Sequence, residues 1–107
     1  CRECQKRSGS AFGLTMVVNR KNFTITGQVS TYVRATDSGQ TNTSYFCPNC
    51  GNPIYGDVER LPDIVAIRPG TLDDTSWFKP ERHIWTDSAQ SWFEFPEGCE
   101  ALPKSRW

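Results

Sequence analysis

Five cysteines and a single histidine, His83, are the residues of this 107-residue chain whose types best suit metal binding or attack on an electrophile. The cysteines are Cys1, Cys4, Cys47, Cys50 and Cys99, so four of them form two C-x2-C pairs. Two thiols three residues apart in a tight turn can point both sulfurs at one ion. In Cys47-Pro48-Asn49-Cys50-Gly51, Pro48 fixes φ within the turn. Gly51 permits the backbone conformation that folds its N–H toward a sulfur. Zinc favours such a site, being tetrahedral, thiolate-loving and redox-silent. The competing reading, a thioredoxin-type redox pair, calls for a βαβ setting that this sequence does not display.

Cys1-Arg2-Glu3-Cys4 is the second pair, and two arrangements stay open for it. Joined with Cys47 and Cys50 it completes one closed, structural Cys4 zinc site. Alternatively each pair serves its own ion and takes further ligands from upstream of Cys1. Three thiolates with one open position would then make a catalytic-type zinc. A first residue of Cys rather than Met leads us to expect a fragment or a processed product, lacking an N-terminal segment. Cys99 lies between Glu97 and Glu100, where negative charge disfavours a thiolate, and it reads as a bystander. Two pairs plus one leftover thiol are not a secreted disulfide framework. They fit a cytoplasmic metal protein better.

Other residues flank this chemistry. Arg2, Lys6 and Arg7 favour thiolate at Cys1 and Cys4 and would attract a substrate bearing carboxylates; the plainer reading is solvated bases. Ser8-Gly9-Ser10 suits close approach of a ligand to backbone amides, or is a simple turn. His83, in Arg82-His83-Ile84-Trp85, is either a packed histidine or an acid/base lining a cleft. Trp85 and Trp92 read as core or cleft wall.

Twelve bases balance twelve acids, which argues against binding nucleic acid or anionic membrane through bulk charge. The charge is uneven: residues 1–34 carry six bases and one acid, and residues 71–100 carry seven acids and two bases. This is either a pair of solvated faces or a basic rim around Cys1 and Cys4. No apolar run nears the roughly 20 residues of a membrane span, and no signal-peptide pattern is present.

The elements that must position these groups read as mostly β. Residues 1–107 are expected to form a single domain of short strands and hairpins with only short helical turns. Strands are expected at Phe12–Val18, Phe23–Thr26, Val29–Ala35, Thr41–Phe46, Pro53–Val58, Asp63–Arg68 and Arg82–Thr86. Val29 to Ala35 alternates with a period of two, and Asp37-Ser38-Gly39 has turn chemistry. Glu3–Ser8 and Ser88–Trp92 read as helical turns, with Ser88 as N-cap of the second.

Four blocks together resemble the glutathione-dependent formaldehyde-activating enzyme family, which includes centromere protein V. They are Cys1 to Phe12, Tyr45 to Tyr55, Gly70-Thr71-Leu72-Asp73-Asp74, and Phe78 to Trp85 followed by Ser88-Ala89-Gln90-Ser91-Trp92. The resemblance implies a small zinc-binding β fold shared with the Rab-GTPase-binding zinc proteins. It implies two zinc ions: a structural one with Cys47 and Cys50 plus an upstream C-x-C, and a catalytic-type one held by a C-x-C-x2-C. Cys1 and Cys4 match the last two cysteines of that triple; its first cysteine and the upstream C-x-C are not in this chain. The implied activity is that of a carbon–sulfur lyase joining a small thiol, glutathione, to formaldehyde, with Arg7, Ser8, Gly9, His83 and Trp85 as candidate substrate contacts. The alternative is a non-enzymatic, zinc-stapled interaction module.

Overall fold

The computed structural model describes residues 1–105, which fall into two compact units. One is Thr15–Thr75; the other is Cys1–Leu14 together with the chain from Ser76 on.

The first unit is an antiparallel sheet of β1 (Met16–Asn19), β2 (Ser30–Ala35), β3 (Thr41–Phe46), β4 (Pro53–Val58) and β5 (Ile64–Ile67). Its strand order is β1-β5-β4-β3-β2. Successive hairpins build β2 through β5, and β1 closes the far edge on β5 with Val17 opposite Ala66. The Asp37-Ser38-Gly39 turn is locked by the Thr36 N–H on Gln40 O at 2.8 Å and the Gly39 N–H on Thr36 O at 3.0 Å. Leu61 N–H on Val58 O, 2.8 Å, starts the turn between β4 and β5.

The centre of this unit is Val65, fully buried, with Tyr55 and Pro69 also buried. Removing a Val side chain from water stabilises a fold by about 1.5–3 kcal/mol, so aromatic packing must add much of the rest. Tyr55 supplies it by packing on Phe23 at 4.8 Å and on Tyr45 at 4.2 Å between ring centres. A polar clamp crosses the same region. Arg20 donates its Nε to Pro62 O at 2.7 Å and Nη2 to Ile64 O at 3.1 Å, and it pairs with the Asp57 carboxylate. The other Asp57 oxygen accepts the Tyr45 hydroxyl at 2.8 Å.

Several expectations are corrected here. The first strand begins only at Met16. Phe23–Thr26 is not a strand: the Phe23 N–H closes a 3₁₀ turn, Arg20–Asn22, on Arg20 O at 3.0 Å, and its ring turns onto Tyr55. In β2 the expected alternation does not appear in the burial: Ser30 and Arg34 are half-buried, but Tyr32 between them is 57% exposed and Val33 is 56% exposed. β2 is an edge strand, so its apolar side lacks the neighbours that would cover it.

In the second unit, α1 (Arg2–Ser8) is a seven-residue helix with Glu3 in its first turn and Lys6 and Arg7 in its last, charges that suit the helix dipole. Gly9, at φ 64°, caps it by donating its N–H to Gln5 O at 2.9 Å, a left-handed conformation that glycine adopts without steric cost. The expected strand Arg82–Thr86 is only β6 (Arg82–His83), which pairs in parallel with β7 (Glu100–Ala101). Its continuation is a 3₁₀ turn, Thr86–Ser88, opened by Trp85 at φ 57°. Ser88 therefore ends a turn instead of capping a helix over Ser88–Trp92. An edge-to-face aromatic cluster fills this unit: Phe93 lies 5.2 Å from Phe12 and 5.1 Å from Phe95, which lies 5.1 Å from His83. The protein is thus mainly β with one short helix, and no described helix is long and apolar enough to cross a membrane.

Candidate thiol pairs and a basic cleft

Each C-x2-C pair sits on its own local scaffold. β3 runs into Cys47 through a register shift between Tyr45 and Phe46. The chain then folds back, with the Cys47 N–H on Asn52 O and the Gly51 N–H on Cys47 O, both at 2.9 Å. Gly51 takes φ 79°, the left-handed backbone that the sequence reserved for it. The Cys47 thiol is held below its usual pKa, first by the Cys50 backbone N–H, then by that of Asn49 and by the Cys50 thiol. N–H groups aimed at a sulfur stabilise its thiolate, the form that binds metals.

Cys1 and Cys4 bracket the first turn of α1, where the Gln5 N–H donates to Cys1 O at 3.1 Å. Their sulfurs are 3.5 Å apart and both residues are half-buried. Two thiolates at about 2.3 Å from one tetrahedral zinc are separated by about 3.8 Å, so this pair has nearly the spacing of two zinc ligands. Among the described residues no group of three or more His, Cys, Asp or Glu side chains converges on one point. Neither pair therefore has a third such side chain gathered beside it among the described residues.

A cleft of about 500 Å³ runs along α1. Arg2, Gln5 and Lys6 of α1 and its cap Gly9 line it, together with Gln90 and Trp92. Gln5 is 5% exposed and organises this lining. Its Nε2 donates to Ser88 O at 2.9 Å, and its Oε1 accepts from the Arg2 guanidinium. The Trp92 indole donates to Gln90 Oε1 at 2.6 Å.

The remaining sequence candidates fall in different places. Gly9 lines the cleft; Arg7, Ser8, His83 and Trp85 do not. The Ser8 hydroxyl is engaged locally, donating to Phe12 O and accepting the Ser10 N–H, each at 3.2 Å. His83 lies against Phe93 and Phe95, with its Nε2 buried and without a hydrogen-bond partner. Trp85 lies under Lys104, whose Nζ is 5.5 Å from the ring centre. Cys99 is 3.9 Å from Pro80 O, away from both pairs in sequence. Sequence reading missed Gln5 and Gln90, although Arg2, Gln5, Lys6 and Gly9 stand at the i, i+3, i+4, i+7 spacing of one helix face.

Comparison with known families decides the relationship. A family model described as glutathione-dependent formaldehyde-activating enzyme matches residues 1–88. The chain belongs to this family. The match includes both C-x2-C pairs, α1 and every strand of the five-stranded sheet. No curated protein matches the chain significantly. The family's description names glutathione and formaldehyde.

Proposed function

We propose that the protein is a zinc-dependent enzyme of the carbon–sulfur lyase type, joining a small thiol of the glutathione class to an aldehyde such as formaldehyde. The observation that carries this reading is the Cys1–Cys4 pair, 3.5 Å between sulfurs, on the helix that also forms the basic cleft. Cys1 and Cys4 would hold the catalytic-type zinc, and Cys47 and Cys50 the structural one. Zinc bound at the first pair supplies Lewis-acid chemistry that lowers the pKa of a thiol.

The reaction is an addition. The substrate sulfur attacks the carbonyl carbon, a C–S bond forms, and the C=O π pair moves to oxygen. The proton lost by the thiol is matched by one gained at the new hydroxyl, so no oxidant or reductant is required. The chain contributes binding and orientation, because an aldehyde and a thiol held in register react far faster than at bulk concentration. Arg2 and Lys6 attract the anionic thiol peptide. Gly9, Ser10 and the exposed Trp92 border its path.

The test is turnover of glutathione with formaldehyde by the full zinc-supplied protein, with S-hydroxymethylglutathione followed by NMR and zinc measured by elemental analysis. Zinc without turnover of any small thiol would leave the alternative, an interaction module stapled by metal. Absence of zinc from the active protein would remove the metal dependence.

A further inference from the structure

We propose that the free edge of β2 is a docking surface for a second copy of this chain, the two β2 strands pairing antiparallel about a two-fold axis at Val33.

β2 lies at one edge of the five-stranded sheet and is six residues long. Its ladder to β3 runs from Ser30 opposite Phe46 to Ala35 opposite Thr41 without a register shift. Edges are ordinarily blunted by Pro, Lys, a bulge or a very short strand. Ser30-Thr31-Tyr32-Val33-Arg34-Ala35 carries none of these. The opposite edge, β1, is four residues long and runs straight into the 3₁₀ turn Arg20–Asn22.

Two backbone bonds show which groups of β2 face outward. The Thr36 N–H donates to Gln40 O at 2.8 Å, so residue 36 points to the β3 side. The Glu59 N–H donates to Thr41 O at 3.1 Å, so Thr41 points to the β4 side, and Ala35 opposite it points away from β3. Successive residues of a strand alternate in this respect. Thr31, Val33 and Ala35 therefore hold their N–H and C=O groups at the open edge. The side chains there are open as well, Tyr32 being 57% and Val33 56% exposed.

The fit of β2 to itself identifies the occupant. A two-fold axis perpendicular to the sheet keeps each face continuous, so facing residues come from the same face. Centred on Val33, it sets Val33 against Val33 of the second copy and Thr31 against Ala35. Every outward residue then exchanges both of its backbone bonds with another outward residue. The same register sets Tyr32 against Arg34, twice by symmetry, with Cβ atoms about 4.5–5.5 Å apart. Each guanidinium thus meets the face of an aromatic ring. Arg34 is open to this contact: its Nε is buried without a hydrogen-bond partner, and among the described residues no carboxylate pairs with it. No like charges face each other in this register. With twelve bases and twelve acids, two whole copies do not repel either. Each copy uses its β2 edge once, so the assembly closes at a dimer. One strand pair is at the small end of protein interfaces, which predicts a micromolar dimer in exchange with the monomer.

The experiment is sedimentation equilibrium of the full protein at concentrations up to about 1 mM. Val33→Lys and Val33→Asp each place like charges directly opposite across the axis, at an exposed position whose N–H lies outside the β2–β3 ladder. Circular dichroism verifies the fold of each. The parent should dimerise and each variant alone should stay monomeric. An equimolar mixture of the two variants should form a mixed dimer, because the Val33-centred register is the one that faces residue 33 with itself. Arg34→Ala should weaken the parent dimer about 10-fold, the loss for two cation–π contacts, and it carries the test if a charge at 33 unfolds the chain. A monomeric parent, a dimer that survives Val33→Lys, a mixture that stays monomeric, or full dimerisation of Arg34→Ala would overturn the assignment. Growth of the parent past the dimer, or capture of an added extended peptide without self-association, would overturn it too, giving the edge to an open assembly or to another partner.

Discussion

The rings of Tyr45 and Tyr55 stack across the β3–β4 pair with centres 4.2 Å apart and planes 3° from parallel. Tyr55 faces inward and Phe23 covers it from a second direction. A sheet with few buried aliphatic side chains is thus held at its middle by aromatic contact.

Tyr55→Ala is expected to cost about 3–5 kcal/mol, the range for truncating a buried aromatic side chain. Chemical denaturation of the variant should show a clearly lowered midpoint. A change below about 1 kcal/mol would mean that the stack contributes little.

Tyr45 also predicts an alkaline limit. Its pKa is raised, first by the hydrogen bond to Asp57, then by desolvation and the Asp57 charge. A group whose folded pKa exceeds its unfolded value contributes stability that is complete below the unfolded pKa, about 10 for Tyr. That contribution disappears as pH rises through the folded pKa. Stability should therefore fall above about pH 10, and Tyr45→Phe should flatten part of the fall. Tyr55, raised chiefly by desolvation, accounts for the remainder. Parallel denaturation curves for parent and variant from neutral to alkaline pH would refute the Tyr45 contribution.

The two cysteine pairs should respond differently to substitution. Cys4→Ser is expected to move the melting transition by less than about 4 °C, corresponding to under about 1 kcal/mol, while abolishing thiol-dependent turnover. Cys47→Ser should lose zinc and unfold the domain, because a closed structural site contributes its binding free energy to folding. Thermal melts, zinc content and turnover on both variants check this. Equal destabilisation by the two would instead favour one structural site made of all four thiols.

Gln5→Leu should destabilise the fold by about 1–3 kcal/mol. It leaves the Ser88 carbonyl without its donor and the Arg2 guanidinium without its acceptor. A thermal melt measures the loss; an unchanged melting temperature would show that water replaces both bonds.

The sheet was legible where strands carry unbroken local signals. Thr41–Phe46 and Pro53–Val58 form as expected, because turn residues mark their ends. Phe23–Thr26 misled because its side chains suit a strand, whereas a long-range contact, Phe23 on Tyr55, draws it out of the ladder. β7 was invisible, since two residues pairing in parallel with a distant partner leave no periodicity to read. The cysteine spacing announced the Cys47–Gly51 turn. The cleft was half legible: its bases stood out, but the role of Gln5 depends on Ser88, 83 positions away.

The division into two units also sets an order of assembly during synthesis. All strands of the five-stranded sheet lie between Met16 and Ile67, so this unit can form once that stretch has left the ribosome. Cys1, Cys4 and the α1 wall of the cleft emerge earlier but must wait for Ser88, Gln90 and Trp92. A nascent chain stalled near residue 75 would present a finished sheet and an N-terminal segment with exposed, oxidisable thiols. The α1 wall is thus protected later than the sheet that follows it in sequence, and release of the later residues, not pairing of the strands, completes the cleft.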